Sequence, residues 1–292
     1  MKDGWSTLRD KQPAAPTAAP KKTLNDLFKK PTERNTRSGK GLKVVLYGPP
    51  KVGKTYVCLD FPPPVFVLNS EPTGVIRLLH FFPDKDIREF PMYEKWVDAG
   101  ITDDTQIALM SIAALDEAIA ALTTINEGTI VLDSATHVWQ WIQRWLPYKV
   151  GTLGRKSGQE VYGFDWNLAF EEYRTRFLKL LVRPCNFVCT AQTKEVYVAD
   201  KPTGKWAGRW MSETPHMCDV VFRMEKKEVP QNTADLKSVD FVTKYIATFE
   251  DSRFARPLVK QKQMEIEDLT YQKLLDAVLK TTGCTKEVLG IG

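Results

Sequence analysis

Residues 48–55 read Gly-Pro-Pro-Lys-Val-Gly-Lys-Thr, a complete G-x-x-x-x-G-K-[ST] pattern directly after the apolar run Leu42, Val44, Val45, Leu46 and Tyr47. A loop of this kind turns successive backbone N–H groups inward as a nest for phosphate oxygens, and the helix behind it points its positive end at them. It therefore demands a buried strand before it and a helix after it, and Lys-Thr-Tyr-Val-Cys-Leu is compatible with that helix. Gly48, Pro49, Pro50, Lys51, Val52, Gly53, Lys54 and Thr55 are the candidate nucleotide-binding residues. Gly48 and Gly53 supply the turn. Lys54 is placed to reach the β- and γ-phosphates, and the Thr55 hydroxyl to ligate a Mg²⁺ that keeps mostly water and phosphate oxygens around it. The expected ligands are ATP and Mg²⁺.

From Gly41 onward apolar strand-like runs alternate with helical patterns, which predicts an α/β fold: a P-loop NTPase core with a mostly parallel central sheet flanked by helices. The first helix is cut short by Phe61-Pro-Pro-Pro64. Strands are expected at Val65–Leu68, near Ile87–Met92, at Thr129–Asp133 and at Asn186–Ala191. Helical spacing predicts helices over Ser111–Glu127, closed by Gly128, over about Ala135–Tyr148, and along the face Trp166, Phe170, Tyr173, Phe177 and Leu181. Beyond Ala191 the pattern becomes hairpin-like (Lys194–Gly208, Cys218–Val229, Val239–Phe249), so antiparallel edge strands are expected. A last helix is expected over about Ile266–Lys280. The domain reading is a tail at 1–40, an ATPase core at 41–265 and a C-terminal helix and tail at 266–292.

A phosphate loop identifies binding, and hydrolysis needs further groups. Asp133 closes the run Ile130-Val-Leu-Asp133 and is the expected metal-side carboxylate, acting through water; an N-cap role at Ser134 is the alternative. Glu71, just past Val65–Leu68, is the candidate general base, since ligands bind beyond the carboxyl ends of strands in such sheets. Its alternative is an exposed turn residue before Pro72. Gln192 ends the next strand, where an amide can bond the γ-phosphate or its water and report hydrolysis to the segment that follows; simple exposure is the alternative. Lys54, Glu71, Asp133 and Gln192 form the candidate catalytic set.

These four pieces, in this order, resemble the RecA/RadA-type ATPase core over about residues 42–225. More narrowly, the short helix with its proline run, the Tyr162-Gly163…Trp166 opening of a long helix and Thr190-Ala-Gln-Thr-Lys are similar to phage nucleotide-binding proteins of the single-strand-annealing recombinase type. One departure is Asn69-Ser70-Glu71, where an aspartate often starts the equivalent phrase. The resemblance implies an oligomeric, RecA-like ATPase, ring or filament, with single-stranded DNA as partner and a role in annealing or strand exchange. It implies two DNA-contacting loops. The first is Gly151–Gly158, with Arg155 and Lys156. The second is about Thr193–Met217, with Tyr197, Lys201, Lys205, Trp206, Arg209 and Trp210. Alternating cations and aromatics suit a strand whose phosphates need neutralising and whose bases need stacking; a packing pair of Trp206 and Trp210 is the alternative. A cation from a neighbouring subunit is also implied, with Lys194, Arg223, Lys226 and Lys227 as possible donors.

The formal charge of +5 is not spread over the chain. Residues 1–40 hold ten Lys or Arg against four Asp or Glu, a surplus of six, so the remaining 252 residues carry −1. Nucleic-acid contact must then come from local loops or from the tail. That tail, with Pro13, Pro16, Pro20 and Pro31, reads as disordered. Within residues 21–30, Leu24, Leu27 and Phe28 mark a helix-prone island. It is similar to the peptides that replication proteins insert into a sliding clamp, with Lys21 where glutamine is usual; packing on the protein itself is the alternative. No apolar stretch is read as approaching the length needed to span a bilayer, and the N-terminus lacks the apolar core of a signal peptide, so a cytoplasmic location is expected, that of the host cell if the source is viral. Five cysteines without a C-x-x-C pair and three scattered histidines predict neither disulfides nor a structural metal. The rival readings are an ATP-binding assembly or replication-accessory module with little turnover, a nucleotide or small-molecule kinase and a helicase motor.

Overall fold

The computed structural model of the protein describes residues 40–72, 74–153, 161–231, 240–253 and 264–291. The tail with its island at 21–30, and both Arg155 and Lys156, lie outside the described residues. The apolar run before the phosphate loop forms strand β1 (Lys43–Tyr47), buried along its whole length, and the loop opens helix α1 (Lys54–Asp60). There follow β2 (Val65–Asn69), β3 (Ile87–Pro91), α2 (Glu94–Asp98), α3 (Asp104–Ala121), β4 (Thr129–Asp133), α4 (Ala135–Thr152), α5 (Trp166–Leu181) and β5 (Asn186–Ala191). The chain then runs through β6 (Thr193–Val198), β7 (Lys201–Gly208), α6 (Thr214–Met217), β8 (Val220–Gln231), β9 (Asp240–Ser252), β10 (Met264–Glu267) and α7 (Tyr271–Thr282).

Eight strands form one sheet in the order β10-β9-β8-β1-β5-β4-β2-β3. From β8 to β3 every neighbouring pair is parallel, and β9 and β10 add antiparallel pairings at one edge. Successive side chains of a strand face opposite sides, and both sides are covered. Val45 and Tyr47 join Leu68, Leu132 and Phe187 in a layer with α3, α4 and α5. Val44 and Leu46 join Val67, Val131 and Val188 in a layer with α1 and α7. Burying each such side chain contributes about 1.5–3 kcal/mol relative to leaving it exposed, which is why these strands read as continuous apolar runs.

Register matters more for the site than the count of strands. Tyr47 pairs with Ala191, Leu132 with Cys189 and Asn69 with Asp133. The carboxyl ends of β1, β5, β4 and β2 therefore stand side by side on one rim. Just past β5, β6 and β7 leave the sheet as a separate two-stranded hairpin. Its tip is a two-residue loop, Ala199-Asp200, with both φ positive, between the paired Val198 and Lys201, as tight hairpins require.

Several boundaries differ from the sequence expectation. Helix α3 starts at Asp104, because Asp103 accepts a hydrogen bond from the Gln106 N–H at 2.8 Å and caps it; the apolar spacing marks only the inward-facing part. It ends at Ala121 and tightens into a short 3₁₀ turn over Leu122–Thr124. Gly128 does not close it. Its φ of +82° instead turns the chain into β4, where a Cβ would lie 2.3 Å from the Pro64 carbonyl oxygen. Helix α4 continues to Thr152 with Pro147 inside it, held by buried Leu146 and Val150 on either side. The expected last helix begins later, at Tyr271, capped by Thr270; Met264–Glu267 is a strand on β9. Among the described residues, Asp104–Thr124 is the one helix long and apolar enough by composition to cross a membrane, contrary to the sequence reading. Its face of Ala108, Ser111, Ile112, Leu115 and Ile119 is buried in the layer that includes α4 and α5.

Candidate nucleotide site

The rim bounds a cleft of about 870 Å³ lined by residues 50–57, Glu71, Gly74, Arg77, Leu78, Phe81, Asp133, Ser134 and Thr190–Gln192, together with Met224, Tyr245 and Asp268–Thr270. The loop is held by its shape. A Cβ on Gly48 would lie 2.2 Å from the Met224 carbonyl oxygen, so any side chain there would force the loop off β8. The Gly48 N–H donates to Ala191 O at 3.2 Å, tying the loop to β5. Lys51 has φ +61° and Gly53 has φ +89°. Val52 is buried in the core, where it anchors the loop, while Pro49, Pro50 and Lys51 are exposed.

Lys54 folds back over this loop, its ammonium donating to Gly48 O at 2.9 Å and Pro49 O at 2.7 Å. Burial pushes its pKa below the usual lysine value, opposed by the nearby charges of Asp133 and Glu71. The Thr55 hydroxyl donates to Asp133 Oδ2 at 2.7 Å, and the Thr190 hydroxyl donates to Asp133 Oδ1. Asp133 and Thr55 thus meet across 78 positions of sequence. A hydroxyl beside one carboxylate fits Mg²⁺, which dehydrates reluctantly and takes few protein ligands beside substrate phosphates. Among the described residues no group of three or more His, Cys, Asp or Glu gathers as a metal cage. Ser134 caps α4, accepting from the His137 N–H at 3.4 Å, so Asp133 itself is not the helix cap.

Glu71 is pinned at its main chain by Asn69, whose Oδ1 accepts from Glu71 N at 3.0 Å and whose Nδ2 donates to Glu71 O at 2.7 Å. Its carboxylate is half exposed and lies 3.9 Å from His137 Nδ1. Gln192 is clamped through its backbone. Its N–H donates to Thr136 Oγ1 at 2.9 Å, its carbonyl accepts from Arg209 N at 2.6 Å, and Thr136 Oγ1 donates to Arg209 O at 2.7 Å. The rim of the cleft and the root of the hairpin are therefore one hydrogen-bonded unit.

The other predicted residues separate into two groups. Tyr197, Lys201, Lys205 and Trp206 are exposed on the hairpin, Trp206 at 55%, and Arg209 is exposed at its root. Trp206 also lines a crevice with Pro49 and Pro50, so it adjoins the phosphate loop. Trp210 stands apart from them. Its ring lies edge-on to Tyr47 with centroids 5.0 Å apart, beneath Gly208, where a Cβ would lie 2.4 Å from it. Of the four cations considered for a neighbour's site, Arg223 faces Glu250, Lys226 lies over the Tyr245 ring, Lys227 pairs with Glu265, and Lys194 is exposed on β6. Sequence reasoning missed Thr190, Ser70, His137 and Arg77. Thr190 sits two positions before Gln192, and its signal was a hydroxyl inside an otherwise apolar strand.

A parallel sheet with a glycine-rich loop between β1 and α1, and a carboxylate at the end of a strand one removed from β1, defines a P-loop NTPase core. A family model described as an AAA domain matches residues 40–254, and the chain belongs to that family of nucleotide-binding P-loop ATPases. No curated protein matches the chain.

Proposed function

We propose that the protein is a Mg²⁺-dependent, RecA-like ATPase that couples ATP hydrolysis to single-stranded DNA and supports annealing or strand exchange in phage or viral recombination, working as a homo-oligomer. The observation that carries this reading is the continuity between cleft and hairpin: Gln192 lines the cleft, and its backbone is bonded to both Thr136 and Arg209. In this reading Lys54 and the loop N–H groups hold the phosphates, Thr55 binds Mg²⁺ and Asp133 positions it through water. Glu71 takes a proton from the attacking water. The loss of the γ-phosphate is felt by Gln192 and passed to the hairpin, whose Tyr197, Lys201, Lys205 and Trp206 meet the strand.

Fluorescence anisotropy of labelled single strands, with a non-hydrolysable ATP analogue and at several salt concentrations, tests the reading. Trp206→Ala should weaken binding roughly tenfold, the loss expected from one base–aromatic stack. Lys205→Ala should flatten the salt dependence. Tighter binding to duplex DNA or to RNA than to single-stranded DNA would reject the assigned partner.

A further inference from the structure

Beside the Glu71 carboxylate lies a cluster that belongs to no motif. Ser70 Oγ is 2.7 Å from His137 Nδ1, contacts the Asp133 carbonyl at 2.8 Å and accepts from the Ser134 N–H at 2.9 Å, while Ser70 N donates to Asp133 O at 2.7 Å. These bonds tie the end of β2 to the end of β4 and fix His137 in the frame that holds Asp133. The His137 side chain is only 24% exposed, against 50% for that of Glu71. Its ring also neighbours Trp141, centroids 6.4 Å apart.

We propose that His137 is the positioning residue of the Glu71 carboxylate, a fixed ring that holds a half-exposed side chain at the cleft instead of in solvent. This rests on the reading of Glu71 as general base. The Asn69 pair fixes where the Glu71 backbone lies and leaves its side-chain torsions free. His137 is the one side chain within ion-pair distance of that carboxylate among the described residues. With the proton on Nδ1, the ring N–H is donated to Ser70 Oγ at 2.7 Å and the Ser70 hydroxyl proton is left for the Asp133 carbonyl, while the Glu71 carboxylate lies against the ring edge at 3.9 Å, beyond hydrogen-bond length. The charged groups facing the ring are Glu71 after β2, Asp133 at the end of β4, Arg209 after β7 and Arg144 further along α4. Burial is the largest influence on the imidazole and lowers its pKa. At neutral pH the ring is therefore an uncharged, fixed wall beside the carboxylate, one that leaves Glu71 free to act as a base.

The test uses the full chain and four variants, Glu71→Gln, His137→Ala, His137→Asn and the double Glu71→Gln/His137→Ala. ATP turnover, affinity for a fluorescent ATP analogue and Tm are measured for each. His137→Ala should lower kcat roughly 10–100-fold, the cost of a misplaced reacting group, with affinity and Tm held. His137→Asn, whose amide can donate to Ser70 Oγ from a similar position and keep a planar group beside the carboxylate, should recover most of that loss. The double variant should be no slower than Glu71→Gln alone. The inference is overturned if His137→Ala turns over like the parent, if affinity or Tm falls in step with kcat in both His137 variants, or if the double variant loses both factors independently. If Glu71→Gln itself keeps normal turnover, the general-base reading falls first, and this outcome is distinct from a failure of His137 alone.

Discussion

Lys54 donates to Gly48 O and Pro49 O, so its ammonium is held over the loop that carries the glycines. A triphosphate would offer that ammonium charge-assisted bonds stronger than those to neutral carbonyls. Lys54→Ala should therefore lower turnover by about 100-fold or more, read by steady-state hydrolysis, with binding of a fluorescent ATP analogue lost alongside. Glu71→Gln should separate the two: analogue affinity is retained while turnover falls about 10²–10⁴-fold, the usual range for a general base, and turnover equal to the parent would remove Glu71 from that role. His137 adds a pH signature. Its folded pKa lies below the usual value of 6.5, so the unfolded chain takes up the proton more readily. The group therefore costs the fold nothing above about pH 6.5, and stability falls as pH drops from there through the lower folded value. Parent Tm should drop more steeply in that window than the Tm of His137→Gln. At this scale the placing of the phosphate loop, Asp133, Glu71 and Gln192 on one rim was legible in the chain because each stands at or just past the end of an apolar strand. Thr190, Ser70 and His137 were not, since their partners lie 57 to 67 positions away and only the register of β2, β4 and β5 brings them together.

At the scale of elements, the sequence could mark strands by apolar runs but not their order in the sheet. Placing β5 between β1 and β4 is what lets Thr190 reach Asp133 and puts Gln192 beside the loop. The end of α3 and the start of α7 were misread for opposite reasons. Glycine at 128 serves a turn into β4, whereas the Met264/Ile266 alternation is strand spacing that a short window read as helix. The hairpin offers a sharp contrast between two tryptophans four positions apart. Trp210 is a packing residue against Tyr47, so Trp210→Ala should cost about 3 kcal/mol and lower Tm measurably. Trp206 is exposed, and Trp206→Ala should leave Tm near that of the parent while weakening single-strand binding. Equal Tm losses in the two variants, followed by thermal denaturation, would contradict this division of the hairpin into root and reader.

At the scale of the whole molecule, the described fold is one sheet with a nucleotide cleft on its rim and a two-stranded arm leaving beside it. The proposed coupling of hydrolysis to a strand of DNA would use that adjacency, since coupling requires an element whose state both sites can bias. If single-stranded DNA is the partner, as proposed, the surplus of positive charge in residues 1–40 would add a salt-sensitive attraction that is not sequence-specific. The most direct measurement is steady-state Mg²⁺-ATP hydrolysis by the full chain, with and without single-stranded DNA, at low and moderate salt. The account predicts stimulation of turnover by single strands, weakened as salt rises and lost in Glu71→Gln. ATP binding with turnover indifferent to DNA would contradict it, and would instead describe a module that uses ATP to assemble with its partners.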